Sequence, residues 1–320
     1  MTTLDLKDRK ILYELDFNAR QTDSEIAKKV KLSREVVSYR ISRLIKKGII
    51  KNFVTILNHN ALGYLAFRIY FKFREVSKEK EDEIVGFLKD KVAWLVRVRG
   101  NWSFNCMIFT TNVFELEKFI NSLKKRFQKN LLDTHFSLIT RIIHYRRGYL
   151  LDKKQDTSRY DVMGEVVNTV TLDDTDLNIL DAVQNNARLS SIEIANKIRI
   201  SERVVRYRMK NLIKNKVILG FRSILNLEKL GISYYKIHFK LNRYDETIKK
   251  IDTYIHLHPR VIYKTETIGG WDLELEVQVP SSKDLYAFID GFTRDFTGLI
   301  DDYEIVEYDK EYKLSYLNKL

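Results

Sequence analysis

Residues 4–63 recur at residues 172–231 with a constant offset of 168, no gap, and more than two-fifths of positions identical. Unrelated chains share far fewer, so whatever this sequence folds into, it folds into twice. Both copies keep Leu-Asp-x-x-Asp (Leu4, Asp5, Asp8; Leu172, Asp173, Asp176), Asn-Ala-Arg (18–20; 186–188), Glu-Ile-Ala (25–27; 193–195) and Ile-Leu-Asn (56–58; 224–226). Farther along, identity thins while the pattern persists at an offset of 169. Leu116, Phe119, Ile120, Leu123 and Phe127 match Leu285, Phe288, Ile289, Phe292 and Phe296, one helical face written twice. The polar stretch 148–170 reads as the linker between repeats.

Each repeat opens with a three-helix pattern. Helix one is expected over about 6–17 and 174–185, with acidic residues in its first turn. Helix two begins with a capping box, Thr22-x-x-Glu25 and Ser190-x-x-Glu193. Helix three starts at an N-cap serine, Ser33 or Ser201, and its apolar line is Val37, Ile41, Leu44 or Val205, Met209, Leu212. A short β segment follows (52–57; 220–225), in the place of a small wing. Strict alternation then predicts a strand buried on one face, with Phe67, Ile69, Phe71 and Phe73 inward in copy one and Tyr235, Ile237, Phe239 and Leu241 in copy two. Continued through helix, two strands at a glycine turn, helix and strand, the order is βαββαβ.

The fold class expected is therefore α+β: two copies of a winged helix-turn-helix, each followed by a ferredoxin-like βαββαβ sandwich. The expected boundaries are 1–58 and 171–226 for the winged units and 59–147 and 227–320 for the sandwiches.

Charge points to a partner. The net charge is +13, yet residues 1–150 hold 30 Lys and Arg against 16 Asp and Glu, while residues 151–320 hold 26 against 27. Such an excess suits a polyanion. It peaks around helix three, where residues 28–51 carry nine basic side chains and one Glu, and 197–216 carry eight and one. Ser33, Arg34, Ser38, Tyr39, Arg43 and Lys46, with Ser201, Arg203, Arg206, Tyr207, Lys210 and Lys214, lie off the apolar line. A capped, basic helix of this kind fits the major groove of double-stranded DNA, and its first N–H groups suit a phosphate oxygen.

These motifs resemble the leucine-responsive regulator and asparagine regulator (Lrp/AsnC) family. The matching elements are the Leu4–Leu12 opening, Asn18-Ala19-Arg20, Ser33 through Val37, Arg40, Leu44, Gly48-Ile49-Ile50 and Leu62-Gly63. Copy two departs at Lys216, where the glycine is missing. The resemblance implies a DNA-binding transcription regulator, not an enzyme, with dimers paired through the sandwich sheets, so that one chain could supply both halves. It also implies a small-molecule effector, an amino acid, near a Gly-x-x-Asp turn: Gly269, Gly270 and Asp272 in copy two. Copy one reads Gly100-Asn101-Trp102-Ser103 and lacks the carboxylate.

Other features narrow the field. A single cysteine, Cys106, excludes an intramolecular disulfide and reads as a buried small hydrophobe. The six histidines show no metal-ligand spacing beyond His256-x-His258, and Gly269-Gly270 precedes a strand, unlike a dinucleotide fingerprint. No cofactor is expected. No run approaches the roughly 18 apolar residues of a membrane span, and the opening residues lack a secretory pattern, so a cytoplasmic, nucleoid-associated protein is expected. Two rival readings are an architectural DNA binder and a tetrapyrrole decarboxylase-like enzyme. The second uses a histidine where this chain reads Val92-Ala93-Trp94-Leu95.

Overall fold

The computed structural model describes residues 4–152, 161–164, 168–242 and 244–316. The first three-helix unit is α1 (Leu6–Phe17), α2 (Asp23–Val30) and α3 (Arg34–Lys46), followed by strand β1 (Ile50–Leu57). Its sandwich is β2 (Leu65–Phe73), α4 (Lys78–Leu88), β3 (Trp94–Arg99), β4 (Phe104–Thr110), α5 (Val113–Phe127) and β5 (Leu131–His144), with a short strand β6 (Asp161–Met163) beyond. Copy two runs α6 (Asp174–Gln184), α7 (Ser191–Ile198), α8 (Glu202–Lys214) and β7 (Ile218–Leu225). It continues with α9 (Leu227–Leu230), β8 (Ser233–Leu241), α10 (Tyr244–Leu257), β9 (Val261–Ile268), β10 (Leu273–Val279), α11 (Ser282–Asp295) and β11 (Ile300–Leu314). Among the described residues, no helix is long and apolar enough to cross a membrane.

Local chemistry accounts for the helix ends. Both expected capping boxes form, and Asp5 and Asp173 cap α1 and α6 by accepting from the backbone N–H of Asp8 and Asp176. Lys31 and Arg199, at the left-handed φ of 56° and 58°, close α2 and α7 and aim the chain into α3 and α8. After α3, Gly48 takes φ 66° and the Ile49 N–H bonds to the Leu44 carbonyl. Lys216 takes the same turn at φ 55°, with Val217 N–H on the Leu212 carbonyl, so losing the glycine leaves the geometry unchanged.

The strand expected as a wing does not form a hairpin inside its own copy. Instead β1 pairs antiparallel with β7, with Phe53 opposite Ser223, Val54 opposite Arg222 and Thr55 opposite Phe221. Val54 and Arg222 are equivalents at the 168 offset, so a pseudo-twofold axis passes through that pair. The physical reason is supply: within each copy the chain leaves this strand directly for the sandwich, and only the other copy offers a free edge.

Strand order within each sandwich is β5-β2-β4-β3 and β11-β8-β10-β9, the ferredoxin-like arrangement. The free edges then join, β3 to β11 and β5 to β9, closing eight strands into one barrel. The sheet pairing expected between chains thus occurs inside one chain. The expected one-sided burial of β2 and β8 is corrected for the same reason. Phe67, Ile69 and Phe71 pack outward under α4 and α5, but Arg68, Tyr70, Lys236 and His238 are also buried, because the other copy's sheet covers them.

Of the stretch read as a linker, residues 153–160 and 165–167 lie outside the described residues. Gly148–Leu150 forms a buried turn of 3-10 helix, and β6 pairs with β5.

A buried charge cluster ties the first three-helix unit to the rest. Asp16 on α1 accepts from Arg147, from Arg222 Nη2 at 2.8 Å and from the Arg147 backbone N–H at 2.8 Å. Burial raises the Asp16 pKa, but the Arg147 and Arg222 guanidinium groups outweigh it and hold the carboxyl below its ordinary range. Copy two has Gln184 at the Asp16 position, bonded to Ser315 Oγ at 3.0 Å.

Asp16→Ala should therefore cost about 3–5 kcal/mol in urea unfolding, since two buried cations lose their counter-charge, whereas Gln184→Ala should cost about 1. Equal losses would contradict this asymmetry. The Asp16 contribution is fully present above the ordinary carboxylate pKa of about 4 and drains as pH falls below it, so removing Asp16 should flatten acid destabilisation there. Lys216→Gly should stabilise the chain by about 1 kcal/mol, measured by the shift in urea midpoint, by relieving a side chain from the left-handed region.

Candidate nucleic-acid interface

Helices α3 and α8 turn their apolar lines inward. Val37, Ile41 and Leu44, and Val205, Met209 and Leu212, are buried. The opposite faces are open: Ser33, Arg34, Ser38, Tyr39 (66% exposed) and Lys46 in copy one, and Ser201, Arg203, Arg206, Tyr207 (63% exposed), Lys210 and Lys214 in copy two. The Ser33 and Ser201 hydroxyls accept from Val36 and Val204 N–H at 3.3 Å, which fixes the start of each helix. Arg206 meets Glu202 at 2.9 Å one turn back, an exposed pair that water screens and a phosphate can displace.

Among the expected contacts, Arg43 is engaged within the fold. Its Nη2 lies 2.7 and 2.6 Å from the carboxylate oxygens of Asp8, on the side of α3 facing α1. Arg40 bonds Asp5 at 2.7 Å and Asp8 at 2.8 Å, and its equivalent Arg208 meets Asp173 at 2.8 Å and Asp176 at 3.2 Å. The Asp5 bond is the leading cause of a raised Arg40 pKa, and the Arg40 bond of a lowered Asp5 pKa. Leu-Asp-x-x-Asp is therefore the bracket that sets the angle of α3 against α1 and of α8 against α6. Sequence spacing hid this because the partners lie 35 and 32 residues apart.

The Asn-Ala-Arg repeat is a second device whose role only the structure reveals. Ala19 N–H bonds Phe221 O at 2.8 Å and Ala187 N–H bonds Phe53 O at 3.0 Å. Arg20 reaches Ala187 O at 2.7 Å, and Arg188 reaches Ala19 O at 2.8 Å and Asp23 at 2.7 Å. Lys229 Nζ bonds Lys47 O at 2.7 Å, capping the end of α3 from the other copy. Together with the β1–β7 ribbon, these contacts hold α3 and α8 as pseudo-twofold mates on one frame. The result is two outward cationic rods in fixed relation, a form suited to two segments of one duplex.

The turn expected to serve an effector has a different internal logic. Asp272 accepts from Leu241 N–H at 3.0 Å and lies 3.5 Å from Lys240, both on β8, so its carboxylate ties the turn to that strand. Gly269 takes φ 81°, and a Cβ on Gly270 would sit 2.6 Å from Thr267 Oγ1. Gly270 and Trp271 do border a cavity of about 340 Å³, shared with Tyr70, Trp102, His135, His238, Lys240 and Glu304. In it Tyr70 OH and His238 Nε2 are 3.0 Å apart, and His238 Nδ1 is 3.1 Å from Glu304. Burial raises the Glu304 pKa, yet bonds from His238, Asn101 and Trp102 hold it below its ordinary value. Sequence reasoning missed Tyr70, His135, His238 and Glu304 because the strands that carry them alternate like ordinary half-buried strands.

Cys106 is fully buried, and burial pushes its thiol pKa far up, consistent with a core side chain. The His256-x-His258 pair splits. His256 Nδ1 faces Asp252 O at 2.6 Å, while His258 packs on Tyr254 and Phe288, where burial lowers its pKa to about 4.

Comparison with known proteins agrees with this geometry. Residues 4–51 and 172–218 each match the winged helix-turn-helix DNA-binding family. The HTH-type transcriptional regulator Ptr1 of Methanocaldococcus jannaschii is 31% identical over 119 residues, 37% of this chain and 79% of that protein. The HTH-type transcriptional regulator FL11 of Pyrococcus furiosus is 28% identical over 122 residues, 37% of this chain and 78% of its own length. Among solved structures, the siroheme decarboxylase NirDL superposes over 96% of this chain and 92% of its own, with a TM-score of 0.65 at 15% identity, a likeness of fold. With two matched winged units, relatives that each span a single repeat, and a barrel in which the repeats pair with one another, this chain is a DNA-binding transcription regulator and belongs, as a tandem member, to the leucine-responsive regulator and asparagine regulator (Lrp/AsnC) family.

Proposed function

We propose that a single chain acts as a complete pseudo-dimer that reads an asymmetric DNA site. The observation that carries this reading is the pair of exposed basic faces on α3 and α8, related by the axis through Val54 and Arg222 yet chemically unlike. Arg34, Ser38, Tyr39 and Lys46 read one half-site with Ser33 at the phosphate, and Arg203, Arg206, Tyr207, Lys210 and Lys214 read the other with Ser201. Arg43 serves mainly to hold α3 in place. Unlike helices on a symmetric frame favour unlike half-sites.

The α5 surface is a second basic face of copy one. Lys118, Lys124, Lys125 and Lys129 are exposed there, and residues 56–150 hold 17 basic against 9 acidic side chains. This charge supports a DNA footprint that extends over the first sandwich. The sheet edges through which chains were expected to associate are consumed inside the barrel, so assembly of several chains would use another face.

An amino acid effector is proposed for the cavity beside Gly270, in place of direct ligation by Asp272. Trp102 and Trp271 supply flat walls, Glu304 a carboxylate for an ammonium group, and Lys240 an ammonium for a carboxylate. The decarboxylase-like reading is not favoured. The segment Val92-Ala93-Trp94-Leu95 carries no histidine, and the Trp94 indole N–H donates to Glu311 at 2.9 Å.

Selection from random duplexes should yield a site with two different halves, and a palindromic consensus would refute the pseudo-dimer. Affinity for the selected site should exceed that for arbitrary duplex by about a thousandfold or more, whereas an architectural binder would show near equality. Arg34→Ala and Arg203→Ala should each relax preference in one half only, while log affinity falls with log salt by about 0.9 per phosphate neutralised. Reversing charge at Lys124 and Lys125 should reduce that slope. In calorimetric titration against the free amino acids, at least one should bind the wild type and lose affinity in Trp271→Ala. Binding to none would remove the effector from this reading.

A further inference from the structure

A second, larger cavity lies between the β1–β7 ribbon and the mouth of the barrel. Its volume is about 750 Å³. The ribbon side contributes Lys51, Ile224 and Leu225, α9 contributes Leu227, and the barrel contributes strand residues from both copies. This is several times the space that one or two structural waters need, and it falls in the range of pockets that hold a drug-sized molecule.

The walls define what would fit. Trp94, Tyr234, Tyr263 and Tyr308 present aromatic rings, and Val96, Met107, Ile142 and Leu314 present apolar side chains. The carboxylate of Glu276 is already engaged: it accepts from the hydroxyls of Tyr234 and Tyr308, the latter at 3.2 Å, and from Lys236 at 3.3 Å. Glu311 accepts from Trp94 N–H at 2.9 Å. A cation would therefore find little free negative charge. An anion would face Glu276, Glu307 and Glu311, which offset Lys51, Arg68, Arg147 and Lys310 on the same walls, so neither sign of charge dominates the cavity.

Two buried polar atoms on this wall lack partners. Arg68, only 4% exposed, forms an ion pair through Nη2 with Glu276 at 3.7 Å, while its Nε–H meets no acceptor. His144, also 4% exposed, has no partner at Nδ1, and burial drives its pKa well below the ordinary value, so the ring is neutral. An unmade hydrogen bond at a buried donor costs about 1–3 kcal/mol, and a ligand offering an acceptor recovers it.

We propose that this cavity is a binding site for a neutral, flat aromatic molecule carrying a carbonyl or ring-nitrogen acceptor, which lies among Trp94, Tyr234, Tyr263 and Tyr308 and accepts from Arg68 Nε. It is separate from the amino acid site beside Gly270, shares no lining residue with it, and stands whether or not that site binds. Because Lys51, Ile224 and Leu225 belong to the ribbon that sets the frame of α3 and α8, the ligand would touch the element that spaces the two DNA-reading helices.

Nile red, a neutral planar dye with a ring carbonyl, is a suitable probe for the full chain. Its emission should rise, shift to the blue and saturate at one dye per chain. Leu227→Trp, which fills the cavity from α9, and Arg68→Met, which removes the donor, should each weaken binding by about tenfold or more, with Tyr286→Ala, exposed on α11 and outside both cavities, as an unaffected control. Folding of each variant is checked by circular dichroism, and Leu227→Trp alone suffices if Arg68→Met does not fold. No uptake of dye, non-saturating uptake, or binding unchanged in folded Leu227→Trp would overturn the proposal.

Discussion

Everything in this molecule depends on main-chain hydrogen bonds that neither copy can make alone. β1 has no partner within its own repeat, and β3 and β5 would end the first sandwich as bare edges. β7, β9 and β11 stand in the same position in the second. Unpaired edges cost free energy when buried and invite aggregation when exposed, and barrel closure removes them. Fusing the copies makes that closure intramolecular, so the frame of the two DNA-reading helices does not depend on protein concentration.

Closure also creates the unusual interior. Sheets that would each have had one wet face are pressed together, and side chains chosen for such a face become buried. Lys236 sits between Glu274 at 2.6 Å and Glu276 at 3.3 Å, and Tyr70 meets His238 across the two copies. Buried charge is tolerable only when paired, and here nearly every pair spans strands distant in sequence. The same interior, imperfectly filled, leaves cavities at both ends of the barrel.

The copies then diverge where symmetry is not needed. Asp16 and Arg147 of copy one form an ionic junction with Arg222 of copy two, whereas their equivalents Gln184, Tyr316 and Val54 are uncharged. The basic excess likewise gathers on the first half of the chain. A pseudo-symmetric frame can carry such differences because the β1–β7 register and the barrel pairings use backbone atoms, which are indifferent to side chains.

By itself the sequence determined the duplication, the helices and their caps, the βαββαβ order, and the outward basic faces of α3 and α8, because those are written in local periodicity and capping chemistry. The Lrp/AsnC resemblance was legible for the same reason. What only the tertiary structure decided was the partner of each strand edge, the bonding of Arg43 to Asp8, the burial of Arg68 and Lys236, and the tie of Asp272 to β8. Those outcomes turn on which group lies opposite across 30 to 200 residues of chain, and alternation along one strand is the same whether its polar face meets water or another sheet.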